Sequence, residues 1–284
     1  MKNRFPNSWS EACFPPTQTV NFVQAGTGTP VLLIHGLAAS LHDWDALIPE
    51  LVARKYSGYA LDLLGHGESA KPQQIDFYTS DSVFAHLSDW IDTLNLNEPV
   101  ILIGHSLGGY LSLQYTLKCP ERVRALVLVN PFYTQSQLPL MLRFFLRRPL
   151  LNSIVIKGTP YWLFRLLVDV SSLHFGNSSE SWHSLPETVR VQTALDYKRA
   201  APGIYNIPRT IHDLTQNLPR LTQPTLVIWG AHDQTINPKT FPLLVESLPN
   251  ARAEVMPACG HVPHQCHAQE FNRKVFDFLG EISD

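Results

Sequence analysis

Cysteine is scarce. Cys13, Cys119, Cys259 and Cys266 are the four in 284 residues. They are too scattered for the disulfide framework of a small secreted domain, and no C-x-x-C pair suggests structural zinc. Charge is lean as well, with 16% of residues charged against a usual ~25%, and it nearly cancels to −2. The absence of a basic stripe leaves no footprint for nucleic acid. No block of like charges marks an interaction tail. No stretch reaches the ~18 uninterrupted apolar residues of a membrane-spanning helix. The polar start, Met1 to Phe14, contains Pro6 and lacks the apolar core of a signal peptide. Together these absences point to a reducing, cytoplasmic setting.

The chain is not short of apolar side chains, at 44%, and a chain near 300 residues buries about three quarters of its unfolded surface. Short apolar runs recur: Val31–Ile34, Tyr59–Asp62, Val100–Ile103, Ala125–Val129, Thr225–Trp229 and Ala253–Met256. Each stops at glycine, proline or asparagine, or runs into a glycine-rich turn. Continuous runs of this length fit strands buried on both faces of a parallel sheet. Between them, Asp81–Leu94 carries Val83, Leu87, Trp90, Ile91 and Leu94 at helical spacing, and Tyr110–Leu117 and Phe271–Leu279 also read as helices. Thr19–Gln24 reads as an antiparallel edge strand. The βαβα alternation predicts an α/β fold with a mostly parallel, doubly wound sheet. It breaks between Phe132 and Arg220, where prolines and apolar helical segments replace strands. The expected organisation is therefore a core in two parts, 1–131 and 221–284, with a helical cap inserted at 132–220.

The pentapeptide Gly104-His105-Ser106-Leu107-Gly108 follows one predicted strand and opens one predicted helix. A G-x-S-x-G in that setting is a sharp turn that lifts the serine hydroxyl above the sheet edge. A tight turn with an idle serine would share the pattern, so the partners decide. A serine hydroxyl needs a base to take its proton and an acid to orient that base. In strand–turn–helix sites of this kind the order is serine, acid, histidine. Asp233 lies just past Thr225–Trp229, and His261 lies past the last strand, both at carboxyl ends of strands where catalytic groups collect. Asp196 and Asp213 fall in the insert, Asp277 falls inside the last helix, and the loop after Val129 offers only the uncharged Asn130. An oxyanion hole needs two main-chain N–H groups. Leu107, next to the serine, supplies one, and Leu37, in the His35-Gly36-Leu37 turn, supplies the other. His261, His264 and His267 form an H-x-x-H-x-x-H run, but their spacing does not share one helix face, Pro263 interrupts, and no H-E-x-x-H occurs. No metal or other cofactor is expected.

His35 through Trp44, Asp62-Leu63-Leu64-Gly65-His66-Gly67-Glu68-Ser69, Gly104 through Gly109, Pro224 through Asp233 and Gly260-His261 together resemble the α/β-hydrolase superfamily. The likeness is to its serine-nucleophile HG-x type with a helical cap, which includes small esterases, carbon–carbon bond hydrolases, lactonases and perhydrolases. Relatives that hydrolyse epoxides or haloalkanes carry aspartate where this chain has Ser106. Many relatives carry a glutamate five residues after the histidine, where this chain has Cys266. The resemblance implies a pocket between cap and core. It also implies hydrolysis of a carboxylic ester or related acyl bond of a small, apolar substrate through an acyl-enzyme. Two alternatives stay open: a carbon–carbon bond hydrolase or enol-lactonase with the same triad, and a small-molecule receptor on the same fold.

Within the insert, Leu138–Ile156 sets Phe144, Phe145, Leu146 and Leu150 beside Arg143, Arg147 and Arg148. A lid over an acyl cleft with peripheral membrane contact through its arginines fits this pattern. A cap helix with its apolar face on the core and its arginines in water fits it better. Tyr161, Trp162, Phe164 and Trp182 could line a pocket or hold the cap together.

Overall fold

The computed structural model describes residues 19–140, 143, 155, 157–172 and 185–282. The apolar runs become a seven-stranded sheet: β1 (Phe22–Ala25), β2 (Thr29–Ile34), β3 (Tyr56–Leu61), β4 (Val100–His105), β5 (Val123–Val129), β6 (Thr225–Gly230) and β7 (Ala251–Met256). Their order is β1-β3-β2-β4-β5-β6-β7. Every pairing is parallel except β1 with β3, so the predicted antiparallel edge is present.

Alternation along each central strand explains the runs. Leu32, Ile34, Leu102, Leu126 and Leu128 face one core, and Val31, Leu33, Ile101, Ile103, Val127 and Val129 face the other. A strand covered on both faces has no water-facing position for a polar side chain. Helices supply the cover. On one face lie α2 (Ser80–Thr93), α3 (Leu107–Lys118) and, later in the chain, Phe241 and Leu244 of the helix Thr240–Ser247. On the other lie α1 (Ile48–Ala53), through Leu51, and the last helix, Ala268–Glu281, through Phe271, Val275, Phe278 and Leu279. The Thr79 side chain caps α2 by accepting from the Ser82 N–H, a contact worth about 1 kcal/mol. The buried face of α2, with Val83, Phe84, Leu87, Trp90 and Ile91, contributes more, at roughly 1.5–3 kcal/mol for each large side chain. No helix among the described residues is long and apolar enough to cross a membrane.

The chain runs outward from β2 to β3 and then crosses back to β4, so the carboxyl ends of β2 and β4 lie side by side, with Ile34 opposite Gly104. Such a reversal opens a crevice where ligands bind in open α/β sheets.

Between β5 and β6 no strand occurs among the described residues. α4 (Tyr161–Ser171) and α5 (Glu187–Arg199) pack together over Phe164, Val168 and Ala194. Arg165 and Arg190 each pair with both Asp169 and Glu187, tying the two helices at their surface. Leu138 is buried, and Arg143 donates through Nε to its carbonyl at 2.9 Å. Phe144, Phe145, Leu146, Arg147, Arg148, Leu150 and Trp182 lie outside the described residues. Of the other aromatics singled out in the insert, Phe164 is buried edge-on against Tyr197, whereas Tyr161 and Trp162 are exposed.

α5 also reaches the core. Asp196, buried, accepts from Ser40 Oγ at 2.9 Å and from Gln192 Nε2 at 2.9 Å. Burial pushes its carboxyl up to about 7, with the Asp43 charge adding and the Ser40 and Gln192 hydrogen bonds opposing. A carboxyl raised in the folded state binds a proton that the unfolded chain has already released, so stability falls as pH rises from ~4 to ~7. Asp196→Asn keeps both partners without the charge. Its Tm should exceed wild type by several degrees near pH 7.5, and the gain should shrink steadily toward about pH 4.5. A pH-independent difference in thermal melts would refute this.

Candidate active site

Ser106 ends β4 and begins α3 with φ 51° and ψ −108°, a backbone region that costs a non-glycine residue on the order of 1–3 kcal/mol. Neighbouring hydrogen bonds hold it there. The Ser106 N–H donates to Val129 O at 2.9 Å, and its carbonyl accepts from Phe132 N at 3.0 Å and Tyr110 N at 3.2 Å. Close approach requires glycine at two points. A Cβ on Gly108 would stand 2.0 Å from Ile34 O, and one on Gly36 would stand 2.7 Å from His105 Nδ1 and 3.4 Å from Ser106 Cβ. The end of β2 and the turn Gly36–Leu37 therefore press against the serine turn. The Leu107 amide is the first of α3, one of the N–H groups that a helix start leaves without an intrahelical partner.

Beneath that turn, Asp62 braces the neighbouring loops. Its Oδ1 accepts from Leu41 N at 2.8 Å, and its Oδ2 from Glu68 N at 2.8 Å and Asn21 Nδ2 at 2.7 Å. Ser69 Oγ donates to Asp62 O at 2.6 Å. The Gly65–Ser69 segment is thus structural, shaping the turn beside Leu37 and Leu41.

Asp233 and His261 meet across the loops after β6 and β7. His261 Nδ1 lies 2.8 Å from Asp233 Oδ2, and the Asp233 side chain is wholly buried while His261 is partly exposed. Asp233 Oδ1 accepts from Thr235 N at 2.7 Å and Ile236 N at 3.0 Å. Burial alone would raise its carboxyl, but the His261 charge and hydrogen bond, with the Ile236 and Asn130 bonds, hold it below the ordinary range. The group is therefore an ionised acceptor at neutral pH, so His261 Nδ1 carries the hydrogen and leaves Nε2 free to take a proton.

Asn130, uncharged and so no candidate for the acid, nevertheless joins the site. Its Nδ2 donates to Asp233 Oδ2 at 2.7 Å, and its Oδ1 faces Gly230 N at 3.4 Å. It stands at φ 42° directly after β5, so it supports the acid from the next strand. The signal in the sequence is an asparagine, a residue type that tolerates positive φ, directly after the apolar run that ends at Val129.

The H-x-x-H-x-x-H run divides three ways. His261 turns to Asp233, His264 is buried near Asp43, and His267 is exposed. Two clusters among the described residues bring three atoms able to bind a metal within 4.8 Å of one another. One is Cys259, Cys266 and His267, and the other is Asp43, His105 and His264. Neither set shares a sequence spacing that would reveal it.

The fold agrees with comparison to known proteins. A sequence model of the alpha/beta hydrolase fold matches residues 29–265. The chain belongs to the alpha/beta hydrolase fold family. It is a hydrolase of this fold, and relatives across the family act on different bonds. The 2-hydroxy-6-oxo-6-(2'-aminophenyl)hexa-2,4-dienoic acid hydrolase of Metapseudomonas resinovorans is 28% identical over 93% of this chain and 88% of its own. Lipase 3 of a Moraxella species is 27% identical over 84% of this chain and 73% of its own. A thermophilic esterase from Thermogutta terrifontis superposes with a TM-score of 0.75 at 23% identity, covering 93% of both chains.

The shared oxygen, Asp233 Oδ2, yields a test. Asn130→Asp would set a second carboxylate where an amide now donates, and like charges at that distance cannot both ionise. Turnover at neutral pH should fall by about 10-fold or more. In the Asp233→Asn background the same change should instead recover activity, because one carboxylate again faces one amide. Measuring kcat/KM for both single variants and the double variant checks this; simple additivity would show that the two side chains do not act together.

Proposed function

We propose that the protein hydrolyses carboxylic esters or related acyl bonds of small, apolar substrates, with Ser106 as nucleophile, His261 as general base and Asp233 as orienting acid. The observation that carries this reading is one arrangement: a serine held at positive φ on a strand–helix turn, and a histidine whose Nδ1 is already committed to a buried carboxylate. Ser106 Oγ attacks the carbonyl carbon while His261 Nε2 takes its proton, and Asp233 stabilises the imidazolium. The Leu37 and Leu107 amides hold the oxyanion. His261 then protonates the leaving group, and the acyl-enzyme remains. Water, deprotonated by the same nitrogen, attacks the acyl carbon, releasing the acid and restoring Ser106. No step calls on a cofactor.

Residues 132–220 act as the cap over this site, and their apolar side chains favour uncharged acyl groups over polyols, sugars or cationic esters. A second reading keeps the residues and changes the bond to carbon–carbon. The Metapseudomonas relative, matched along nearly the whole chain, supports it.

Ser106→Ala should lower ester turnover on the order of 10⁴- to 10⁶-fold with folding intact, and adding His261→Ala should cost little more, because such residues act as a unit. A fluorophosphonate should label Ser106 in the wild type. Retention of more than about a tenth of the activity in a folded Ser106→Ala protein would remove the assignment. On p-nitrophenyl esters, kcat/KM should climb with acyl length, at roughly 0.8 kcal/mol per buried methylene, and then fall once the cleft is full. Activity confined to vinylogous diketones would select the carbon–carbon reading, and labelling with slow turnover and tight ligand binding would select a receptor.

A further inference from the structure

We propose that Asp43 and His105 are positioning residues that fix the main chain of His261 relative to Ser106; the inference rests on the serine-hydrolase reading and extends it. His105 immediately precedes Ser106 and is buried at the end of β4. Its Nε2 lies 2.9 Å from the His261 carbonyl oxygen. A carbonyl only accepts, so that nitrogen carries a hydrogen. One residue is thereby bonded covalently to the nucleophile and by hydrogen bond to the backbone of the base.

The other ring nitrogen decides whether this bond persists. Nδ1 faces Asp43 Oδ2 at 3.4 Å, with both side chains buried, and no conventional hydrogen bond satisfies either atom. A carboxylate also only accepts. Were the single ring hydrogen to move to Nδ1, the His261 carbonyl would lose its donor. Burial and the neighbouring His264 ring push His105 down to about 4, with the Asp43 carboxylate opposing, so the ring is neutral near pH 7 and its single hydrogen serves the His261 carbonyl. Asp43, packed beside Nδ1 at 3.4 Å, holds the ring in the pose that aims Nε2 at the carbonyl.

Asp43 also grips the same loop directly. Its Oδ1 accepts from Gln265 Nε2 at 2.8 Å, four residues beyond His261. Other groups around the pair include the His264 ring, stacked on Trp44, 4.6 Å from the His105 ring and with Nε2 3.7 Å from Asp43 Oδ2, the His261 ring at 4.9 Å, and Asp196 and Tyr197 of α5. Asp43 sits in the turn Leu41–Trp44. Turn, serine elbow and histidine loop therefore converge on one buried carboxylate, and none of these contacts involves a reacting atom.

Displacing a reacting group by about 1 Å can cost ~10²-fold in rate, which sets the expected effect. Wild type and variants are titrated with a fluorophosphonate, and kcat is expressed per titrated site on a p-nitrophenyl ester. Asp43→Ala and His105→Leu should each lower kcat about 10- to 100-fold, with KM within about twofold. Asp43→Asn should recover most of the loss, since its amide can donate to Nδ1 while its oxygen still accepts from Gln265. Should His105→Leu not fold, His105→Gln carries the test. Its amide can reach the carbonyl but offers Asp43 no second nitrogen, so adding Asp43→Ala should cost only what the Gln265 contact contributes, less than Asp43→Ala costs in the wild type. Unchanged kcat per site in the variants, with only Tm lowered, would overturn positioning and leave the serine-hydrolase reading standing. Failure of wild-type Ser106 to label would remove that reading itself. Chelator-induced loss of kcat restored by zinc in wild type but not in Asp43→Asn would assign the cluster to a metal and likewise overturn the proposal.

Discussion

The backbone of Ser106 is the constraint on which the site depends. A non-glycine residue at φ 51° persists only where its surroundings over-determine it, and here three main-chain bonds do so. The bonds come from β5, from the first turn of α3 and from the segment after β5. The parallel pairing of β4 with β5 carries the register that brings Val129 to the Ser106 amide, and the glycine at 108 lets α3 approach the end of β2. The sheet, the crossover from β3 back to β4 and the tight helix start are parts of one arrangement that fixes Ser106 at the end of β4.

Buried carboxylates organise the loops around it, and each does so by being satisfied. Asp62 and Asp233 each place both oxygens on donors, which is how a charge is held inside a protein. Asp43 takes Gln265 on one oxygen, and the imidazoles of His105 and His264 outweigh burial to keep it well below the usual carboxylate range. Asp196 lacks a cationic partner of that strength, so burial prevails and its carboxyl sits near neutrality. The contrast is one of partners rather than depth, since all four are nearly inaccessible.

Strands and core helices were legible because each leaves a local pattern, and the order of Ser106, Asp233 and His261 along the chain is the signal behind the proposed site. Runs such as Val100–Ile103 report burial on both faces, and the position of Asp233 just past Thr225–Trp229 follows from chain order. Boundaries were less sharp: β7 begins at Ala251 rather than Ala253, because Ala251 and Arg252 pair with Thr225 and Leu226 despite the arginine's charge. What the sequence did not reveal was long-range. Asn130 meets Asp233 across 103 residues, Ser40 meets Asp196 across 156, and Asp43 meets Gln265 across 222. No spacing rule joins such pairs, and only closing the sheet brings them together.

Cys266 shows how a local departure can be absorbed. Where many relatives carry a glutamate five residues beyond the histidine, this chain offers a thiol whose Sγ stands 3.9 Å from Ala258 O. A thiol is a weak donor, so it cannot restrain the loop as a carboxylate would. The restraint comes from flanking residues. Gln265 reaches Asp43, the His261 carbonyl reaches His105, and the backbone N–H of Cys266 donates to Val262 O at 3.0 Å. The short helix Pro263–Cys266 is thus anchored through its own Gln265 and at its entry. The loop that carries His261 keeps its place with the charge supplied from the β2 side of the site, by Asp43, rather than from within the loop itself.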